Sequence, residues 1–433
     1  MLLTFLMEGI VVVIGTLKPR SARPLLSGLL AWLLVSSQLL ACPFCSAISN
    51  TLREDIALAD HLVLAICDVP ADASTELPRH QFTIKGVYQG DQAFTGRKAE
   101  VFSFRPFAKS DQVLLLGAGQ KSKVDWGPLE TLSATGRNYV DFLTARLSEE
   151  RYASENSARR DPSHDNSPDR SAAGPEVEQK AEQVGWLLFF WKNLISEDEW
   201  VRRDCFNEFA RASLGDLRSL VEKLDPDEVL RRLNDQQTKV AERRLYWTIL
   251  SLCGRTKDQS IAQQAIFGNF NPGIGRDDQA IGLDAAISCF LVLGGEVALE
   301  QVERDLLCNQ QASYAARYAA IVAIRVQATE FDELPDARLA QALGLMLKDS
   351  ALADLVIPDL ARLEDWSHVS SMVELFKQAD SSKPYIRMPV VNYLRSCPLQ
   401  EAKMALLQCE KIDPEAFRRA NILLPRVPAR FKP

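Results

Sequence analysis

Histidine is scarce in this chain of 433 residues, where it occurs only four times, at His61, His80, His164 and His368. No two of them are close enough in sequence to form the histidine pairs that many zinc sites use. The sequence also lacks a recognisable pairing of a nucleophile with a general base. We therefore predict no cofactor, no metal site and no catalytic residue, and we expect this protein not to be an enzyme.

An excess of positive charge is also absent. Lys and Arg number 50 against 57 Asp and Glu, which gives a net charge of −7 and an isoelectric point near 5.4. Nucleic-acid binding needs a clustered positive field, so the composition argues against a nucleic-acid partner. The apolar fraction of 47% is typical of a soluble globular protein, and the length allows two or three domains.

Charge is missing altogether between Arg23 and Arg53, and the stretch 25–41 is apolar with small polar residues near its end. Basic residues before a short apolar run are typical of a secretory signal peptide. A spanning helix needs about 20 apolar residues, which is longer than this run. We predict that residues 1–41 form a signal peptide or membrane-targeting segment and that the protein is exported to the periplasm or cell envelope. The earlier apolar stretch 1–17 leaves a membrane hairpin as the alternative.

The targeting segment ends in Leu39-Leu40-Ala41-Cys42, which resembles the lipidation signal of bacterial lipoproteins. In that interpretation Cys42 is the lipidation candidate, and its acyl chains would attach the protein stably to a membrane. In the alternative, ordinary cleavage near Ala41 releases a soluble exported protein. The sequence leaves both open.

Cys42, Cys45 and Cys67 lie close to the predicted cleavage site, and an oxidising compartment makes them disulfide candidates. If Cys42 carries lipid, Cys45 and Cys67 are left to pair with each other. If it does not, a Cys42–Cys45 bridge leaves Cys67 as a buried thiol. The other six cysteines lie in apolar helical patterns and are predicted to be packed in cores.

Cys42-Pro43-Phe44-Cys45 also has the spacing of a thioredoxin-type redox motif. That motif follows a β-strand, whereas here the targeting segment precedes it. No second C-x-x-C completes a zinc site. A thiol–disulfide oxidoreductase, or another envelope enzyme that uses Cys42 and Cys45, is therefore the competing functional hypothesis.

Residues 42–147 are predicted to form a small antiparallel β-barrel followed by a helix. Runs of alternating or continuous apolar residues, separated by Gly and Pro, indicate four or five strands, of which four are placed at 61–68, 82–88, 100–104 and 111–116. Ser133 is a candidate N-cap for the helix that follows.

Several features of this module resemble the netrin and metalloproteinase-inhibitor modules: Cys-x-x-Cys at the start, Ala59-Asp60 before the first strand, Tyr88-Gln89-Gly90 and the segment from Trp126 to Leu132. The resemblance implies an OB-fold barrel. In the inhibitors a free N-terminal cysteine chelates the zinc of a protease, which an acylated Cys42 would not do.

Residues 148–180 hold eight acidic and five basic residues but a single valine. The burial of so few apolar side chains does not offset the entropy lost when the chain becomes ordered. This segment is therefore predicted to be a disordered linker.

Residues 181–433 show nearly continuous helical periodicity. Helices open near Arg203, Arg244, Asp284, Arg317, Ala353 and Arg387, at intervals of 33 to 41 residues. These intervals and the stretch 314–324, which is rich in alanine, resemble HEAT or armadillo repeats, in which an arginine reaches across to a neighbouring unit. The apolar segment 185–194 is predicted to be a buried helix.

Together these patterns predict an α+β multidomain protein, in which a small OB-like barrel precedes an all-α, HEAT-like solenoid. Helical solenoids bind partners along extended surfaces. We expect a non-catalytic binding or scaffold protein of the bacterial cell envelope that uses the solenoid to bind protein partners, with membrane association through the targeting segment or a lipid.

Overall fold

The computed structural model describes residues 43–45, 47, 49–72, 75–120, 123–158, 175–268, 282–349, 351–379 and 384–423. Cys42 and the predicted targeting segment 1–41 lie outside the described residues. From Ala41 to Pro433 the chain forms one compact unit. A barrel occupies its N-terminal part and helices make up the rest, so the predicted fold class is confirmed.

A short helix, α1 (Leu52–Leu58), precedes the five strands of the barrel, which are β1 (His61–Val69), β2 (Arg79–Gln89), β3 (Lys98–Phe102), β4 (Gln112–Gln120) and β5 (Lys123–Thr131). The strands close in the order β1-β2-β3-β5-β4, which is compatible with an OB-like barrel. All neighbours are antiparallel except β3 and β5, which pair in parallel through Val101 and Trp126. The barrel is thus antiparallel as predicted at four of its five strand pairs, and the parallel pair closes it because five strands in a ring cannot alternate in direction throughout.

Strand β1 is apolar on both faces because it borders two cores. Val63, Ala65 and Cys67 point into the barrel, whereas Leu62 joins the core formed by the helices. The apolar run predicted as a strand is continuous because this strand lies between the barrel core and the helices. At the end of β2, Gly90 has φ +100, and a Cβ there would lie 2.0 Å from the His61 ring, so only glycine fits this turn.

After the barrel come α2 (Ala134–Ala158) and α3 (Pro175–Asn193). The Gly136 amide donates to the Ser133 hydroxyl at 2.9 Å, as expected for the predicted cap. Both ends of the predicted linker 148–180 are thus helical, and residues 159–174 lie outside the described residues. Helix α2 extends past position 148 because its charged side chains find partners on α3: the Trp186 indole donates to Glu150 at 2.7 Å.

The helical array continues through α4 (Glu199–Arg211), α5 (Leu214–Leu220), α6 (Pro226–Asn234), α7 (Val240–Cys253), α8 (Gln259–Gln263), α9 (Leu283–Val302), α10 (Tyr314–Glu330), α11 (Asp336–Gly344), α12 (Ala353–Arg362), α13 (Val369–Gln378), α14 (Pro384–Ser396), α15 (Gln400–Ile412) and α16 (Pro414–Leu423). The stretch Leu283–Leu307 is long and apolar enough to span a membrane by composition alone. It packs between α7 and α10, as a core helix of the array does.

Arginine–carboxylate pairs link successive parts of the array. They join residues 32 to 40 positions apart, close to the predicted repeat interval, in the pairs Arg244–Asp284, Arg317–Asp349, Arg325–Asp359 and Arg338–Glu303. Each pair therefore connects two parts of the helical array that are distant in sequence.

The segment predicted as a buried apolar helix lies in the C-terminal half of α3. Trp186, Phe190 and Trp191 are buried there in one continuous core that includes Leu62 and Leu114 of the barrel. That prediction is confirmed. The barrel and the array share a core across this helix.

Candidate functional site

The cysteines singled out from the sequence do not come together in one site. Cys42 lies outside the described residues, and Cys45 is half-buried against the helical core. Cys67 is a free thiol enclosed in the barrel interior, where burial raises its pKa. Cys67 is a buried thiol in this structure, and the disulfide pairing among Cys42, Cys45 and Cys67 stays a prediction.

Of the six later cysteines, four are buried as predicted, namely Cys205, Cys289, Cys397 and Cys409. Burial raises the pKa of Cys253 and of Cys409 to about 11, so both remain protonated at neutral pH. Cys308 is exposed, contrary to the prediction, because the helical pattern ends there in a turn.

The histidines of the barrel make backbone contacts. His61 Nε2 lies 3.0 Å from the carbonyl of Gly119, and His80 Nε2 lies 3.1 Å from that of Ser103, while its Nδ1 accepts the Ala71 amide. His368 lies 3.3 Å from Asp365. Among the described residues, no group of three or more His, Cys, Asp or Glu side chains could hold a metal ion.

A buried polar cluster joins α1 to the helical array. The Asp204 carboxylate accepts the Leu52 backbone amide at 2.7 Å and the Tyr139 hydroxyl at 2.6 Å. The Cys205 thiol lies 3.7 Å from the same hydroxyl. Asp204 therefore holds α1, α2 and α4 together through two neutral donors.

The Asp204 carboxyl has no cation among these direct donors. Burial raises its pKa to about 7, and the nearby carboxylates of Glu208 and Asp55 add to the increase. The two hydrogen bonds oppose this effect without cancelling it. Asp204 is thus an aspartate that titrates close to neutral pH inside the protein.

Salt bridges surround this cluster along the same face of α4. Glu208 accepts Arg53 at 2.9 and 2.6 Å, and Arg211 reaches Glu54 at 2.6 Å. Positions 204, 208 and 211 share one helix face, so α4 contacts α1 over two helical turns. We call this arrangement, residues 49–54 with Asp204, Glu208 and Arg211, the N-terminal clasp. It fixes the start of the described chain to the array.

Sequence reasoning missed the clasp. Asp204 lies among Cys205, Phe206 and Phe209, on the apolar face of an amphipathic helix. A carboxylate at such a position is the one signal that could have marked it. Its partners lie at least 65 positions away in sequence, and no local pattern reveals them.

The helical array also exposes a pair of aromatic side chains. Tyr314 and Tyr318, one turn apart at the start of α10, are 52% and 41% exposed, and their rings lie nearly parallel with centroids 6.3 Å apart. Arg317, between them in sequence, forms a salt bridge with Asp349. We call Tyr314 and Tyr318 the tyrosine face.

Comparisons of this chain with protein-family models, with curated proteins and with solved structures find no match.

Proposed function

We propose that this protein is a non-catalytic, exported binding or scaffold protein of the bacterial cell envelope, and that its helical array binds a protein partner. The tyrosine face is the observation that carries this proposal. Tyrosine supplies a large contact area with little conformational entropy and is enriched at the centres of protein interfaces. Two exposed, stacked tyrosines on a braced helix are a preorganised surface of this kind.

The rigidity of the array supports a binding role. The arginine–carboxylate pairs connect distant parts of the array, and one of them fixes Arg317, which lies between Tyr314 and Tyr318 in sequence, to Asp349. A surface that is ordered before binding loses less entropy when the partner docks.

We further propose that the array is of the HEAT type and the barrel of the netrin and metalloproteinase-inhibitor type. The spacing of the arginine–carboxylate pairs supports the first assignment, and the strand order of the barrel supports the second. On this view the barrel is the module nearest the targeting segment and the array carries the partner site.

Crosslinking at the tyrosine face tests the partner site. A photoreactive amino acid at position 314 should yield one specific protein adduct in intact cells, whereas the same group at the exposed Val297 of α9 should not. The adduct protein, once identified and purified, should bind the Tyr314→Ala/Tyr318→Ala variant at least about tenfold more weakly than the native chain, since truncating two interface aromatics removes their buried area. Equal affinities for the variant and the native protein would rule out this surface.

Export is tested by the mass of the mature protein. We expect the chain recovered from cells to lack residues 1–41, and its intact mass distinguishes a diacylated Cys42 from a bare terminus. A Cys42→Ser variant should leave the membrane fraction if lipid is the anchor and remain where it was if it is not. Recovery of the unprocessed chain from the cytoplasm would contradict export.

A further inference from the structure

The tyrosine face continues along the exposed side of α10 toward the C-terminal end of that helix. Tyr314, Tyr318, Arg325 and Thr329 follow one another at intervals of four, seven and four residues. Positions at these intervals lie on the same face of an α-helix. Because a helix rises about 1.5 Å per residue, Arg325 lies about 16 Å along α10 from Tyr314 and about 10 Å from Tyr318. The face that presents the two tyrosines therefore also presents the half-buried guanidinium of Arg325.

Arg325 shares a buried carboxylate with a second arginine, on α12. The Asp359 carboxylate, which is 3% exposed, accepts Arg325 Nε at 3.0 and 2.9 Å, Arg325 Nη2 at 2.7 Å and Arg362 Nη1 at 2.5 Å. Arg325 Nη2 also donates to the Leu355 carbonyl at 3.1 Å. Two positive charges thus meet one negative charge, so this cluster carries an excess of one positive charge.

Both guanidinium groups keep N–H donors in reserve. A guanidinium has five such donors, and each oxygen of Asp359 already accepts two of the hydrogen bonds above. Within the ranges that the structure describes, Nη1 of Arg325 and both Nε and Nη2 of Arg362 have no protein acceptor, and neither arginine forms an ion pair with a second carboxylate. Asp359 therefore holds two arginines in place with donors left for a further anion, and guanidinium groups favour carboxylates.

A small pocket adjoins these donors. Arg325 and Arg362 line it together with the apolar side chains of Ala328, Leu343 and Leu363. It has room for about one water-sized group, which is too little to enclose a metabolite. One oxygen of a carboxylate fits there while the rest of its side chain stays outside. The pocket therefore suits a side chain presented by a polypeptide, and the excess of positive charge favours an acidic one.

We propose that the partner of the tyrosine face is an extended acidic segment of a protein, which places an apolar or aromatic residue on Tyr314 and Tyr318 and the carboxylate of an Asp or Glu between Arg325 and Arg362. This inference rests on the proposed partner site and adds the chemistry of the partner. An extended chain advances about 3.3 Å per residue, so the spacing of about 10 to 16 Å corresponds to about three to five residues. Two contacts at this spacing set the register of the segment on α10.

Selection of peptides on the full chain tests this chemistry without the natural partner. The probe is a display library of random dodecapeptides, selected on the immobilised protein. We expect the enriched peptides to carry Asp or Glu about three to five residues from an aromatic residue. The same selection on Arg362→Gln should keep the aromatic residue and lose the acidic one. Failure to enrich any peptide, or enrichment of peptides without an acidic residue, overturns the proposal.

A double-mutant comparison tests whether the acidic residue contacts Arg362. Fluorescence anisotropy measures the affinity of the most enriched peptide and of a version whose acidic residue is replaced by its amide. Arg362→Gln should weaken the acidic peptide at least about fivefold and the amide version less than about twofold, since only the first loses a charge-assisted hydrogen bond. The matched control is Arg231→Gln, at an exposed arginine of α6, which should leave both affinities unchanged. Circular dichroism checks that the variants are folded. Equal weakening of the two peptides by Arg362→Gln would mean that the carboxylate binds elsewhere.

This inference and the proposed partner site fail in different ways. If position 314 yields no adduct in cells, the tyrosine face is not a partner site, and the inference is wrong with it. If the adduct protein binds the native chain and Arg362→Gln with equal affinity, the partner site stands and only the acidic contact is wrong.

Discussion

Replacing Asp204 by asparagine is expected to stabilise this protein at about pH 8.5. In the native chain the carboxyl is enclosed between α1, α2 and α4, and at that pH it must carry its charge without a cation as a direct donor. Asparagine keeps an oxygen that accepts the Leu52 amide and retains polar contact with the Tyr139 hydroxyl. It removes the desolvation cost of the charge.

The sign of the pH dependence follows from the direction of the pKa shift. The pKa of Asp204 is raised from 3.8 to about 7 in the folded protein. Below pH 3.8, the pKa of this carboxyl in the unfolded chain, its contribution to stability is complete. That contribution is lost as the pH rises through about 7, the pKa in the folded protein. At 1.36 kcal/mol per pH unit, the loss between about pH 5 and about pH 8.5 is roughly 2–3 kcal/mol.

Urea unfolding at the two pH values measures this effect. We compare the free energy of unfolding of Asp204→Asn with that of the native protein at each pH. Between about pH 5 and about pH 8.5 this difference should change by roughly 2–3 kcal/mol in favour of the variant. The exposed Asp125 of β5 provides the control, because Asp125→Asn should show no such shift. A pH-independent difference for Asp204→Asn would mean that its carboxyl does not titrate in this range.

Asp204→Ala separates charge from hydrogen bonding. Alanine leaves the Leu52 amide and the Tyr139 hydroxyl without their acceptor, at a cost of about 1–3 kcal/mol for each buried donor. This variant should therefore be less stable than Asp204→Asn at both pH values.

The sequence predicts much of the fold because the strongest patterns are local. The apolar run of β1 and the helical periodicity of α3 and α10 each follow from burial of neighbouring residues. The fifth strand, β5, has only exposed and half-buried residues and includes Gly127 and Pro128. Its apolar alternation is limited to Val124 and Trp126, so its pairing with β4 is needed to recognise it. Glu150, in the charged part of α2, accepts the Trp186 indole of α3, a contact that composition does not reveal.

The candidate sites depend on long-range contacts, and for that reason sequence patterns find them poorly. Asp204 and Leu52 lie 152 positions apart, and Glu208 and Arg53 lie 155 apart. The tyrosine face lies within the alanine-rich stretch 314–324, and only the exposure of its two rings distinguishes them from core residues. Cys45 and Cys67 show the converse: they lie close together in sequence, yet Cys67 lies in the barrel core and Cys45 packs against the helical core.

Replacing Trp186 by alanine is expected to cause the largest loss of stability. Trp186 is 2% exposed at the point where α1, α2 and α3 meet. The Arg146 and Arg53 guanidinium groups lie 4.1 and 5.0 Å from its ring, and Phe190 stacks on it at 5.7 Å. Its removal leaves a cavity in the core shared by the barrel and the array, and it deprives Glu150 of the indole donor.

Truncation of a buried tryptophan typically costs about 3–5 kcal/mol. Because the barrel and the array share this core, we expect Trp186→Ala to lower the melting temperature of both together. Far-ultraviolet circular dichroism follows the helices and hydrogen exchange of the β1 and β2 amides follows the barrel. The exposed Tyr152 of α2 is the control, and Tyr152→Ala should change the free energy of unfolding by no more than about 0.5 kcal/mol. If Trp186→Ala weakened the helices but left protection of the barrel strands unchanged, the two parts would unfold independently and the shared core would not couple them.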